Sequence, residues 1–190
     1  MKLRLAFLFL AVLALAAYPA FAQDVCQRPG NQLVNCGFET GDFTGWTQWG
    51  DTSFTFVDGN PYSGNYAAWF GEVNGQGGVY QNVGATNENI YYVSFWLQNL
   101  YGGDNFMTVY WNGYDVGPDL YNAPAFGYEH LYGWLSGYPC AGCNTIQFAF
   151  YQPPSYWNFD SAFVGSPEPT TLLLVGTGIV GLATRMRKRL

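Results

Sequence analysis

Carboxylates, thiols and aromatic rings are the groups through which this 190-residue chain could do chemistry. Twelve Asp and Glu side chains lie between residues 23 and 165. Glycoside hydrolysis needs only two carboxylates, about 5 to 9.5 Å apart, and Glu72, Asp104 and Glu129 are the candidates for such a pair. Nothing else of a catalytic apparatus accompanies them. The only histidine, His130, stands beside Glu129 in a segment that reads as a strand, and no serine sits in a G-x-S-x-G elbow. A small domain without long loops has little room for a catalytic cleft, so the chain reads as a protein that is not an enzyme.

The four cysteines, Cys26, Cys36, Cys140 and Cys143, are even in number, which in an oxidising compartment means disulfides. Three pairings are open, and proximity favours Cys26 with Cys36 and Cys140 with Cys143. Cys140-Ala141-Gly142-Cys143 also has redox spacing, but no βαβ pattern precedes it, and Pro139 and Gly142 mark a turn. The Cys26 to Cys36 spacing is long for a zinc knuckle.

The two ends supply the compartment. Lys2 and Arg4, an apolar run over 3–17 and the small-x-small site Ala20-Phe21-Ala22 form a signal peptide over 1–22, so the mature chain begins at Gln23. At the other end Pro167-Glu168-Pro169 is followed by an apolar run over 170–184 and by Arg185, Arg187, Lys188 and Arg189. A proline-bounded helix with a basic tail suits a membrane segment oriented by the positive-inside rule. At about 1.5 Å per residue the run gives roughly 22 Å of helix against a hydrocarbon core of about 30 Å, a deficit that snorkelling arginines and local thinning accommodate. Gly176, Gly178 and Gly181 would weaken the same segment as a buried helix in water. Residues 166–190 resemble the PEP-CTERM sorting signal of bacteria that make exopolysaccharide. The resemblance implies processing by an exosortase, transient anchoring in the inner membrane, and delivery to the cell surface or extracellular matrix of a Gram-negative bacterium.

Charge divides the chain at the same points. Of seven Lys and Arg, only Arg28 lies in the exported body, against twelve carboxylates. That balance disfavours nucleic acid and other polyanions as partners, and it is compatible with neutral sugars and divalent cations.

Residues 23–165 read as one all-β domain, a two-sheet sandwich of jelly-roll type. Short runs of Tyr, Phe, Trp and Val alternate with Gly, Asn, Asp and Pro clusters, and no segment keeps a helical period. Strands are expected over 53–57, 66–71, 78–83, 90–98, 105–111, 129–136, 145–151 and 157–164. Alternation puts Val93, Phe95 and Leu97, Met107 and Val109, and Ile146, Phe148 and Phe150 in the core. The opposite faces carry Tyr92, Trp96 and Gln98, then Thr108 and Tyr110, then Gln147. With 90–98 and 105–111 as neighbours, these six form one aromatic and amide-bearing face that suits stacking on, and hydrogen bonding to, a neutral polysaccharide. Aromatic cross-strand pairs also stabilise a sheet that binds nothing, which leaves a structural matrix protein as the alternative.

A second resemblance runs through the body. Residues 33–46, with Asn35-Cys36-Gly37-Phe38-Glu39-Thr40-Gly41-Asp42-Phe43 and Trp46, are similar to the opening of carbohydrate-binding-module-like, galactose-binding-like jelly rolls, where this pattern begins the first sheet. Pro61-Tyr62-Ser63-Gly64-Asn65-Tyr66, Val79-Tyr80-Gln81-Asn82-Val83 and Asn158-Phe159-Asp160-Ser161-Ala162-Phe163 are similar to later segments of the same family. The resemblance implies a structural Ca²⁺ held by Glu39 and Asp160, with carbonyls near Gly59, Ser63 or Asn65 completing a shell of six to eight oxygens. The expected function is that of an exported surface or matrix protein with a glycan-binding domain.

Overall fold

The computed structural model describes residues 25–84, 90–136 and 144–165. The expected signal peptide, Cys140, Cys143, Pro167, Glu168, Pro169 and the apolar run lie outside the described residues. Within them no helix is long and apolar enough to cross a membrane.

Among the described residues eleven strands follow one 3₁₀ turn at Val25–Gln27. They are β1 (Thr47–Gly50), β2 (Thr55–Asp58), β3 (Ala67–Phe70), β4 (Gly77–Val83), β5 (Ile90–Asn99), β6 (Phe106–Trp111), β7 (Tyr114–Asp115), β8 (Leu120–Tyr121), β9 (Phe126–Ser136), β10 (Asn144–Tyr151) and β11 (Trp157–Gly165). One sheet has the order β1-β4-β10-β6-β7, with β8 also on β6, and the other the order β2-β3-β11-β5-β9. Every pairing is antiparallel. The eight strands expected from alternation are all present, and β1, β7 and β8 are additional.

The two inner faces meet in an aromatic core. Val93, Phe95, Leu97, Met107, Val109, Ile146, Phe148 and Phe150 are buried, as their alternation requires. Phe70 stacks on Phe150 at 4.1 Å between ring centroids, and Phe148 packs on Phe159 at 4.6 Å. Each such ring contributes about 1.5 to 3 kcal/mol by leaving water. Residues 33–46 are not a strand opening the first sheet but a run of turns, with Asn35 and Phe38 in the left-handed region. The turns bury Phe38 and Trp46, and the Trp46 indole donates to the Asn35 carbonyl at 3.0 Å. A disulfide joins Cys26 to Cys36, and Ala162 N donates to Cys36 O at 3.0 Å, which ties these turns to β11.

One expected adjacency is absent. β5 and β6 lie in opposite sheets, because residues 100–105 cross the sandwich instead of closing a hairpin. Tyr92, Trp96 and Gln98 therefore face away from one side of the molecule, and Thr108, Tyr110 and Gln147 from the other. A hairpin and a sheet-to-sheet arch bury the same alternate residues, so alternation cannot separate them.

Candidate functional site

On the outer face of the six-stranded sheet, successive register rows run Thr47, Tyr80, Gln147, Tyr110, then Trp49, Gly78, Ala149, Thr108. Gly78 and Ala149 give the middle row a low floor beside the Trp49 ring. The next row in phase pairs Tyr151 with Phe106 and Phe106 with Tyr121. There the face opens into a cavity of about 630 Å³ whose lining includes Asn74, Gln76, Asp104, Asn122, Tyr121 and Tyr151. The three amides and Asp104 are exposed.

Each wall of this cleft is held from behind. Asp51 accepts from Val73 N at 3.3 Å and Asn74 N at 3.0 Å, fixing the turn that presents Asn74 and Gln76. Hydrogen bonds from Ser53 and then Asn74 hold the Asp51 carboxyl well below the usual range. Across the cleft Asn105 donates to Ala123 O and accepts from Ala123 N, both at 2.9 Å, which positions Asn122.

Tyr110 and Gln147 are directly opposite each other and half-buried, so two of the expected ligand residues do meet. Burial, and then Asp115, Tyr121 and Asp119, push the Tyr110 phenol up, so it keeps its proton and can donate. Thr108 does not serve as expected. It is fully buried, its hydroxyl within hydrogen-bond reach of Asp119 Oδ1 at 2.6 Å and Asp115 Oδ1 at 3.0 Å, so it pins the β7–β8 segment. Tyr121, Asn74, Gln76 and Asn122 were not anticipated from sequence, and Tyr151, which alternation puts on the outward side with Gln147, was not singled out as a ligand residue. The signal available for them was aromatic residues at strand ends followed by amide-rich turns, as in Tyr121-Asn122 and Asn74-Gly75-Gln76.

The other outer face has a different design. Trp96, expected as an open stacking platform, is enclosed between Tyr62, at 3.6 Å and 9°, and His130, at 4.9 Å and 25°. Gln98 Oε1 is taken up by Asn60 Nδ2 at 2.9 Å. Tyr92 packs against Tyr132, Trp134 and Phe163. Tyr62 comes from a loop strapped over the sheet: Trp69 donates to Gly59 O at 2.9 Å and Tyr128 to Asn60 O at 2.8 Å.

Glu39 and Asp160 hold this same loop. Buried Asp160 accepts from Tyr62 N at 2.8 Å, Ser63 N at 3.0 Å and Ser161 N. Glu39 accepts from Asn65 N at 2.9 Å and Tyr66 N at 3.1 Å through Oε1, and from Asn65 Nδ2 at 3.1 Å through Oε2. The two residues hold one loop, Glu39 from a turn rather than from a first strand beside β11, and amide hydrogens rather than carbonyl oxygens point at them. Gly59 O is itself occupied by Trp69. Among the described residues no three His, Cys, Asp or Glu side chains cluster as a metal site. This donor set does not fit Ca²⁺, which needs the oxygens bare.

The carboxylates considered for hydrolysis are also apart in role. Asp104 is the only one lining the cleft among the described residues, Glu72 is buried with Oε1 accepting from Thr55 at 2.7 Å, and Glu129 lies on β9 in the other sheet.

Residues 167–188 match the family description "PEP-CTERM protein-sorting motif". The chain carries that sorting motif. It marks an exported protein, anchored in the membrane by its C-terminal end before processing. The body delivered by the PEP-CTERM motif is similar in fold to carbohydrate-binding modules. One is TmCBM61 in complex with β-1,4-galactotriose, with a TM-score of 0.58, 22% identity, and coverage of 72% of this chain and 99% of that one. A second is a family 16 module, with values of 0.53, 16%, 72% and 100%. A third is a xylan-binding domain of family 22, with values of 0.52, 15%, 73% and 96%. At these identities the likeness is one of fold. No protein of curated function matches the chain in sequence.

Proposed function

We propose that this PEP-CTERM protein is an exosortase substrate whose sandwich, once at the cell surface or in the extracellular matrix, binds a neutral glycan in the cleft of the six-stranded sheet. The carrying observation is the cleft lining, where exposed amides of Asn74, Gln76 and Asn122 face the rings of Tyr121, Tyr151 and Phe106. Rings cover the apolar faces of a pyranose while amides meet its hydroxyls. Tyr110 and Gln147 extend the site along the sheet. The fold likeness to glycan-binding modules supports the reading, and Asp104, which stands alone as a carboxylate of the cleft among the described residues, supports binding without hydrolysis. Exopolysaccharide, the polymer that the resemblance of the sorting signal implies, is the proposed ligand class.

A panel of neutral glycans against the mature chain tests this directly. Tyr121→Ala and Tyr151→Ala should each weaken the best ligand by about 1 to 1.5 kcal/mol, near tenfold, with the fold unchanged. Absence of binding by the wild-type chain to every neutral glycan would return the protein to the role of a structural matrix component.

A further inference from the structure

At the edge where the chain leaves the domain, the sandwich exposes an aromatic patch that neither the cleft nor the core uses. Trp134 is 62% exposed, Tyr132 66% and Tyr114 69%, with Ile90 and Val116 beside them. Two hollows of about 260 and 300 Å³ flank Trp134, one shared with Tyr132 and the other with Tyr114, and Val116 lines both, so the patch is continuous across the gap between the sheets. We propose that this patch rests in the headgroup layer of a lipid bilayer while the C-terminal segment is still in the membrane.

Three observations point to lipid as the occupant. The first is where the sandwich hands the chain on to the apolar run. Gly165 is the register partner of Tyr92, and Tyr92 is the partner of Trp134, so Gly165 and Trp134 are two strand spacings, about 10 Å, apart. From Gly165 to Thr170, where the apolar run begins, there are five steps of at most about 3.6 Å, or about 18 Å. With its apolar run inserted, the chain holds this edge close to the bilayer.

The second is residue type. Trp and Tyr concentrate at membrane interfaces, where the ring meets acyl chains and the N–H or O–H meets headgroups. The third is charge. In the five-stranded sheet the register rows at this edge, from Ile90 and Ser136 to Ser94, Tyr132 and Phe163, contain no acidic residue, and Asp115, between Tyr114 and Val116, has its carboxylate turned to Thr108 and Gly117 N. Arg28, the only cation of the exported body, is exposed over the Phe163 ring at 5.2 Å, two residues before Gly165. An otherwise strongly acidic body thus meets the membrane with aromatic rings and Arg28 at this edge, the Asp115 carboxylate being held by Thr108.

The proposal rests on the tail acting as a membrane anchor, and the experiment separates that premise from the patch itself. Residues 23–190 are reconstituted with phosphatidylcholine vesicles containing brominated phosphatidylcholine, and flotation is scored alongside tryptophan fluorescence. The expected result is a chain that floats, with a quenched component that is lost in Trp134→Phe and reduced in Tyr114→Ala, which leaves the indole in place. A chain that floats with identical quenching in wild type and Trp134→Phe overturns the proposal. So does shielding of Trp134 that appears only as protein concentration rises in detergent, which assigns the patch to a second copy. A chain that fails to float removes the anchor and the proposal with it, while leaving the cleft reading intact.

Discussion

Glu72 shows how a single carboxylate can set the pH response of this domain. It is fully buried, with one oxygen accepting from Thr55 and the other, Oε2, without a partner, and burial pushes its carboxyl up to about 7. Asp160 is raised to about 7 as well, burial outweighing its three backbone donors. Folding therefore raises the proton affinity of both. Their stabilising contribution is complete below pH 4, where the unfolded chain is protonated too, and it is lost as pH rises through about 7. For Glu72 the loss is on the order of 3 kcal/mol. Melting temperature should fall between pH 5 and pH 8, and Glu72→Gln should flatten that slope. A melting temperature that climbs over the same range contradicts the assignment.

Gly64 makes a second residue-scale case. Its φ is +81°, and an added Cβ would lie 2.3 Å from Glu39 Oε1, so Gly64→Ala strains the backbone and displaces the carboxylate clamp. A cost of about 1 to 3 kcal/mol is expected in denaturant unfolding. Because the clamp works through N–H donors, chelation of Ca²⁺ should leave the wild-type melt unchanged. A drop of several degrees on chelation would mean that the loop reverses its amides to receive a cation.

At the scale of elements, the strap over residues 59–66 is where the molecule departs most from its sequence reading. Strand identity and the core-facing phase were legible because β5, β6 and β10 turn alternate apolar residues into the aromatic core, although the outward Ser94, Phe106 and Thr108 are buried as well. Membership of a sheet was not. Residues 100–105, with Gly102 and Gly103, look like hairpin turn residues but carry the chain across the sandwich, with Asn99 and Asn105 both donating to Ala123 O. Nor did alternation foretell that a loop ring would cover Trp96, since a loop's landing place depends on non-local hydrogen bonds, here donated by the loop to Glu39 and Asp160 and by Tyr128 to the loop. β7 and β8, at two residues each, are too short for any period to appear. Tyr62→Ala tests the strap. It removes a stacked ring pair worth about 0.5 to 1.5 kcal/mol beyond buried area, and it should uncover Trp96, seen as a red-shifted emission. An unchanged spectrum would show that the loop is not seated.

The whole molecule presents two unlike surfaces on opposite sheets, and its charge says which partners each can meet. Twelve carboxylates against Arg28 make the exported body repel polyanions at long range. A cleft that recognises hydroxyls through amides and rings has no ionic contact to screen. Affinity for a neutral glycan should therefore hold steady as salt rises well past physiological strength, where the screening length falls from about 8 Å toward 3 Å. A charged polysaccharide behaves otherwise. If anionic, its binding would be weak at low salt and improve as repulsion is screened; if cationic, it would be tight at low salt and released by added salt, the carboxylates serving as the contact. Titrating the wild-type chain with its best neutral ligand and with one polysaccharide of each sign, across the same salt series, distinguishes the three. A steep salt dependence for the tightest ligand would move recognition from the amides and rings of the cleft to the carboxylates around it, with Asp104 the first to substitute.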